Sequence, residues 1–196
     1  MCAQPRDASQ RPAAQRKAAA ATQAPAPAEA DALTGLLSRA AFDERLAQEE
    51  RRAHDEHDDL SLLLIDIDHF RAYVDTHRPR MVEDRLKKIA ATLMQAVFRP
   101  TDLVARFGDD EFAILLPGVH EGGAQVVAAR ARTLINSLAM RHSAGEGGIV
   151  TVSIGVAALA PEENGGAAQL VDLCKSALEQ AKRMGRDNIV SQDWMA

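Results

Sequence analysis

The chain has 196 residues, 46% hydrophobic and only 4% aromatic, with a formal net charge of −5 and a pI near 5.7. That length and apolar content suit one packed domain behind a tail, and the scarcity of aromatics excludes a stacking platform for single-stranded nucleic acid. The first thirty residues hold four basic side chains against two acidic ones, which leaves about −7 on the remainder and argues against a duplex DNA footprint.

Residues 1–30 are rich in Ala, Pro and Gln and read as a disordered, flexible tail, with no apolar signal-peptide core. Helical spacing begins behind Ser38, a suitable N-cap, and carries Phe42 and Leu46 on to about residue 53. A charged loop over 54–59 leads to a buried-type strand at 60–65. An interrupted helical region covers 69–97 and breaks near Pro79, with Leu86, Ile89, Leu93 and Val97 on one stripe. Two short apolar runs, 103–106 and 112–116, flank a Gly/Asp turn and read as a β-hairpin. A helix over 122–140, a loop at 145–148, a strand at 149–157, a helix over 167–184 and a short strand at 189–190 complete the order. Leu170, Leu173, Ala177 and Ala181 share a face of the last helix. Strands alternate with helices, yet one pair is a hairpin, so the expected class is α/β (α+β): a central mixed sheet with helices on both faces.

No apolar run approaches the ~20 residues of a membrane helix. Cys2 and Cys174 lie far apart in the chain, which points to a reduced, cytoplasmic setting. His54, His57, His77, His120 and His142 show no ligand spacing, and His69 reads as packed or solvent-facing.

The chemistry concentrates in Arg106-Phe-Gly-Asp-Asp-Glu-Phe112. Three consecutive acids at a hairpin tip repel one another unless a cation sits there. A second acidic site, Asp66-Ile-Asp68, ends the 60–65 strand, where residues i and i+2 share a face. Asp66 and Asp110 can therefore converge on one hard divalent cation. Mg2+ takes a few carboxylate oxygens and leaves room for phosphates.

Five stretches together resemble the landmark motifs of the GGDEF family, in the family's order and spacing. They are Asp31-Ala-Leu-Thr-Gly-Leu36, Asp66-Ile-Asp-His-Phe70, Gly108-Asp-Asp-Glu-Phe112, Ser153-Ile-Gly-Val-Ala157 and Ala181-Lys-Arg-Met-Gly-Arg186. The resemblance implies a GGDEF domain over 31–196 with a five-stranded, nucleotidyl-cyclase palm-like fold. It implies diguanylate cyclase activity: two GTP condensed to cyclic di-GMP and two pyrophosphates, with Mg2+ or Mn2+, across a homodimer. By position in the motifs, Asp66, the Ile67 carbonyl and Asp110 are the implied metal ligands, and Asp110 and Glu111 the catalytic carboxylates. Asp75, Glu83, Gly108, Asp109, Lys182 and Arg186 are implied substrate contacts, and Arg99 and Asp102 an implied inhibitory site for cyclic di-GMP.

The sequence departs from the family at the base pocket. The usual Asn-Asp is Val74-Asp75, and the stretch matching Gly-His-x-x-Gly-Asp is Arg78-Pro-Arg-Met-Val-Glu83. Removing a hydrogen bond to a bound base costs on the order of 1–3 kcal/mol. The second glycine of the name-giving motif is Asp109, where glycine would permit positive φ and close approach of phosphate. The residues admit three readings: a cyclase with weakened guanine recognition, a catalytically silent module that binds GTP or cyclic di-GMP for a protein partner, or an enzyme with altered base choice.

Overall fold

The computed structural model describes residues 26, 29–161 and 165–192. Nearly all of the expected tail, including Cys2, lies outside the described residues. Glu29 and Ala30 fold with the domain: Ser38 N donates to Glu29 O at 2.7 Å, and Ala30 bridges Leu37.

Five strands form one mixed sheet in the order β2-β3-β1-β4-β5. They are β1 (Leu60–Ile67), β2 (Leu103–Arg106), β3 (Glu111–Pro117), β4 (Val152–Leu159) and β5 (Ile189–Gln192). Neighbours run antiparallel except β4 and β5. The helices are α1 (Arg39–Glu56), α2 (Phe70–Thr76), α3 (Pro79–Ala96), α4 (Glu121–Ser137) and α5 (Ala167–Arg183).

Strand alternation divides the core in two. Leu63, Ile65, Phe112, Ile114, Ile154 and Val156 point to the face covered by α3 and α4. Leu60, Leu62, Leu64, Ala113 and Leu115 point to the face covered by α1 and α5. The expected fold class, with helices on both faces of a mixed sheet, is what the chain adopts.

Local signals account for most boundaries. Ser38 Oγ accepts from Ala41 N and starts α1, and Pro79 occupies the first turn of α3, where its missing N–H costs nothing. Leu86, Ile89 and Leu93 are buried as the stripe requires, whereas Val97 lies just past the helix and is half-buried. The β1 ladder outlasts its apolar run by two residues, because Asp66 and Ile67 still pair with β4. Helix α4 stops at Ser137, short of 140, where Ala139 turns left-handed (φ 45°). Strand β4 begins at Val152, not 149, because Ile149 bridges Arg141 and Val150 N bonds Met140 O.

Gly155 lets α5 approach the sheet. A Cβ there would lie 2.2 Å from Cys174 O and 2.5 Å from Leu178 N, both backbone atoms. Gly155→Ala is expected to destabilise the fold by about 1–3 kcal/mol, read as a lowered urea midpoint at unchanged m-value.

Candidate active site

The β1 end and the hairpin turn meet on the α5 side of the sheet. Asp66 on β1 stands opposite Glu111 on β3 and Ser153 on β4. Directly opposed carboxylates on one face destabilise a sheet unless compensated. Lys182, on the last turn of α5, provides part of that compensation: its Nζ donates to Asp66 Oδ2 at 2.9 Å and to Glu179 Oε1 at 3.3 Å. Burial pushes the Asp66 carboxyl up to about 6; Lys182 opposes the rise, and Asp110 and Glu111 add to it. Burial also raises Asp110, with the neighbouring Asp109 adding and Lys182 opposing. Against its own burial, Asp66 holds the Lys182 ammonium above its ordinary value.

The turn carrying Asp110 is rigidly built. Phe107 N and Gly108 N both donate to Glu111 O, at 2.8 and 3.0 Å, and Ile67 N donates to Asp110 O at 3.2 Å. Arg106, unassigned from sequence, clamps it: Nε donates to Gly108 O and Nη2 to Asp109 O. Its Nη1 reaches Asp31 Oδ2 at 3.3 Å, while Asp31 Oδ1 accepts from Thr34 N and Oγ1. The opening Asp-x-Leu-Thr motif therefore braces the acidic turn. A Cβ on Gly108 would lie 2.8 Å from Glu111 Oε2, so glycine there leaves the carboxylate its place.

Asp109 departs from expectation. Its backbone is outside the left-handed region, so the turn does not demand glycine at this position, and the exposed side chain is accommodated without strain.

Asp68 has a different part. It is buried, accepts from Thr151 Oγ1 and Ser153 Oγ at 2.8 and 2.6 Å, and also from Asp187 N at 3.0 Å. It stitches β1 to β4 and to the turn after α5. Arg186 stands in that turn with φ 61°.

The remaining sites are spread more widely. Asp75 is exposed on α2 and Glu83 is exposed on α3, just past its first turn, and neither forms an ion pair among the described residues. Val74 and Met81 are exposed apolar side chains on the same two helices. Asp102 is buried, and its Oδ2 accepts from Phe98 N and Arg99 N at 3.1 and 2.9 Å. Asp102 is thus a turn cap. Arg99 is exposed and donates from Nη1 to Gly118 O at 3.2 Å. Beside it the Arg130 guanidinium lies 3.9 Å over the exposed Phe98 ring, a pairing that no sequence spacing signals.

His69, His77 and His142 do meet, around Tyr73. Tyr73 stacks on His77, lies edge-on to His142, and His142 Nε2 bonds the His69 carbonyl at 3.1 Å. His69, Tyr73 and His77 follow one another at four-residue spacing, whereas His142 comes from 73 residues beyond His69 and no spacing signals it. Among the described residues no group of three or more His, Cys, Asp or Glu is placed to hold a metal ion. Nor is any described helix long and apolar enough to cross a membrane.

A five-stranded mixed sheet with helices on both faces carries these carboxylates at the end of β1 and in the hairpin turn, which is the architecture of an α/β GGDEF-type domain. Residues 28–188 match the domain described as "Diguanylate cyclase, GGDEF domain", and the chain belongs to the GGDEF family. It is 38% identical over 159 residues to the diguanylate cyclase DgcP of Pseudomonas aeruginosa, a match covering 81% of this chain and 23% of that protein. Among solved structures, the GGDEF domain of DgcB from Caulobacter crescentus, in complex with cyclic di-GMP, superposes with a TM-score of 0.76 at 26% identity. That match covers 86% of this chain and 96% of the solved GGDEF-domain chain. The diguanylate cyclase SiaD of Pseudomonas aeruginosa, in complex with its activator SiaC, gives 0.75 at 31% identity, over 91% of this chain and 64% of SiaD's.

Proposed function

We propose that the domain condenses two GTP into cyclic di-GMP and two pyrophosphates, each site supplied by one copy of a homodimer. The observation that carries this reading is the placing of Asp66 opposite Glu111 across the β1–β3 ladder, with the turn that bears Asp110 bonded to β1 through Ile67 N and with Lys182 on Asp66. The donor chemistry fits Mg2+ or Mn2+: the hard carboxylates of Asp66 and Asp110, with the Ile67 carbonyl next in sequence to Asp66, are oxygen ligands of the kind such cations take. When bound, the cation offsets charge on the triphosphate and on the attacking and leaving oxygens. Asp66 and Asp110 would hold that cation as ionised carboxylates. Glu111 offers a carboxylate able to accept the proton of the attacking 3′-hydroxyl. Lys182 and Arg186 hold phosphate charge, and the Gly108–Asp109 backbone borders it. Asp75 and Glu83 approach the base, where Val74 presents a methyl surface instead of an amide.

Incubating the purified protein with GTP and Mg2+ and identifying products by mass spectrometry tests this. Cyclic di-GMP and pyrophosphate are expected; their absence at high enzyme and substrate concentrations overturns the reading. The exposed Val74 and the missing pocket glycines favour a second reading, a silent domain that binds GTP or cyclic di-GMP for a protein partner. That reading predicts binding of a nucleotide without turnover.

Arg99 and Asp102 are proposed to bind cyclic di-GMP. The exposed Arg99 fork makes the outer contact to the ligand, while Asp102 caps the turn through Oδ2 and its Oδ1 has no hydrogen-bond partner among the described residues. Arg99→Ala is expected to weaken cyclic di-GMP binding about tenfold or more by calorimetry while leaving the thermal midpoint within a degree or two.

A further inference from the structure

The turn after α5 is held in an uncommon shape. Gly185, Arg186 and Asp187 follow one another with φ of 108°, 61° and 40°. Two consecutive non-glycine residues in this region persist only where the surroundings over-determine them. Here the surroundings come from the opposite side of the sheet. Arg132 on α4 donates from Nε and Nη2 to the two Asp187 carboxylate oxygens at 2.7 and 2.9 Å. Asn136, one turn further along α4, donates to Asp187 Oδ1 at 3.0 Å. The Asp187 amide is pinned to Asp68, and Arg186 N reaches back to Ala181 O at 3.3 Å. The turn begins three residues after Lys182, whose ammonium touches Asp66.

We infer that Arg132 is a positioning residue for the phosphate-binding end of the site: through its two-pronged bond to Asp187 it fixes the turn that presents Arg186. A fork–fork pair sets direction as well as distance, which a single bond does not. An arginine left on a loose turn loses orientation entropy each time it meets a phosphate; one on a fixed turn does not. The network also makes α4 a lever on the site, since any displacement of Arg132 moves the turn. This inference rests on the proposed reading of Arg186 as a phosphate contact.

The test is calorimetric titration of the protein with GTP and Mg2+, in wild type, Arg132→Gln, Asn136→Ala, Arg186→Ala and the double variant Arg132→Gln/Arg186→Ala. Arg132→Gln is expected to weaken GTP about tenfold, and Asn136→Ala a few-fold. In the Arg186→Ala background Arg132→Gln should cost nothing further, because its effect runs through Arg186. Wild-type affinity in Arg132→Gln, or losses that multiply in the double variant, overturn the inference. Should Arg132→Gln not fold, Asn136→Ala with and without Arg186→Ala decides in the same way.

Amide exchange distinguishes a failure of the inference from a failure of the nucleotide reading. Exchange at Asp187 is expected to quicken at least tenfold in Arg132→Gln with the β1 and β3 amides unchanged. If wild type binds no GTP, the nucleotide reading falls. In that event quickened exchange still supports the hold of Arg132 on the turn, and unchanged exchange overturns it.

Discussion

Asp110→Ala is expected to reduce Mg2+-dependent formation of cyclic di-GMP from GTP at least a thousandfold without unfolding the domain. Asp110 stands in the turn that Ile67 N bonds to the end of β1, next to Glu111, which faces Asp66 across the ladder. On the proposed reading, removing it would deprive a bound cation of a charged ligand, and several kcal/mol of charge stabilisation would go with it. About 4 kcal/mol corresponds to roughly a thousandfold in rate. The fold should survive because the turn is closed by backbone bonds from Phe107 and Gly108 to Glu111 and by the Arg106 clamp, none of which uses the Asp110 side chain. Mass spectrometry of products and a parallel thermal melt check both halves. Activity within tenfold of wild type would sink the assignment of Asp110 as a metal ligand. Asp110→Asn keeps the shape and loses the charge, so it should be nearly as inactive.

The fold is legible in the sequence because its signals are local. Period-two and helical spacing, the Ser38 cap and Pro79 each act within a few residues, and each marks the element seen. The carboxylate constellation is legible for a related reason: its members sit at strand ends and in a turn, where an apolar run stops at an acid. What stays unread depends on long-range pairing. Arg106 with Asp31, Arg132 with Asp187, and Asp68 with Thr151 and Ser153 are separated by 75, 55, 83 and 85 residues respectively. No periodicity announces such partners. Asp109 gives the converse lesson: the motif puts glycine there for its backbone freedom, but the turn closes through Glu111 O and needs no left-handed residue at that position.

Asp66→Asn is expected to raise stability at neutral pH while abolishing activity. The Asp66 carboxyl is pushed up to about 6, by burial first and then by Asp110 and Glu111, against an ordinary value of 3.8. The folded state therefore binds its proton more tightly than the unfolded state does. The associated stability is fully present below about pH 4 and is lost as pH rises through about 6. At pH 7 the ionised group costs up to about 3 kcal/mol at 1.36 kcal/mol per pH unit, and water reaching the half-open site reduces that to roughly 1–2 kcal/mol. Asparagine stays neutral, still accepts from Lys182, and avoids the cost. A rise of about 2–8 °C in the melting midpoint at pH 7 without divalent cation follows for a domain of this size. His142 works in the opposite direction: burial lowers its value, so its protonation destabilises the fold as pH falls. The difference between wild type and variant, measured from pH 7 to pH 5, isolates Asp66. The advantage of the variant should shrink as pH falls and vanish near pH 4. A variant less stable than wild type at pH 7, or an advantage independent of pH, would show that the site is not storing charge repulsion. Adding Mg2+ and GTP should reverse the ranking, because only wild type gains the binding free energy of a cation held by that same repulsion.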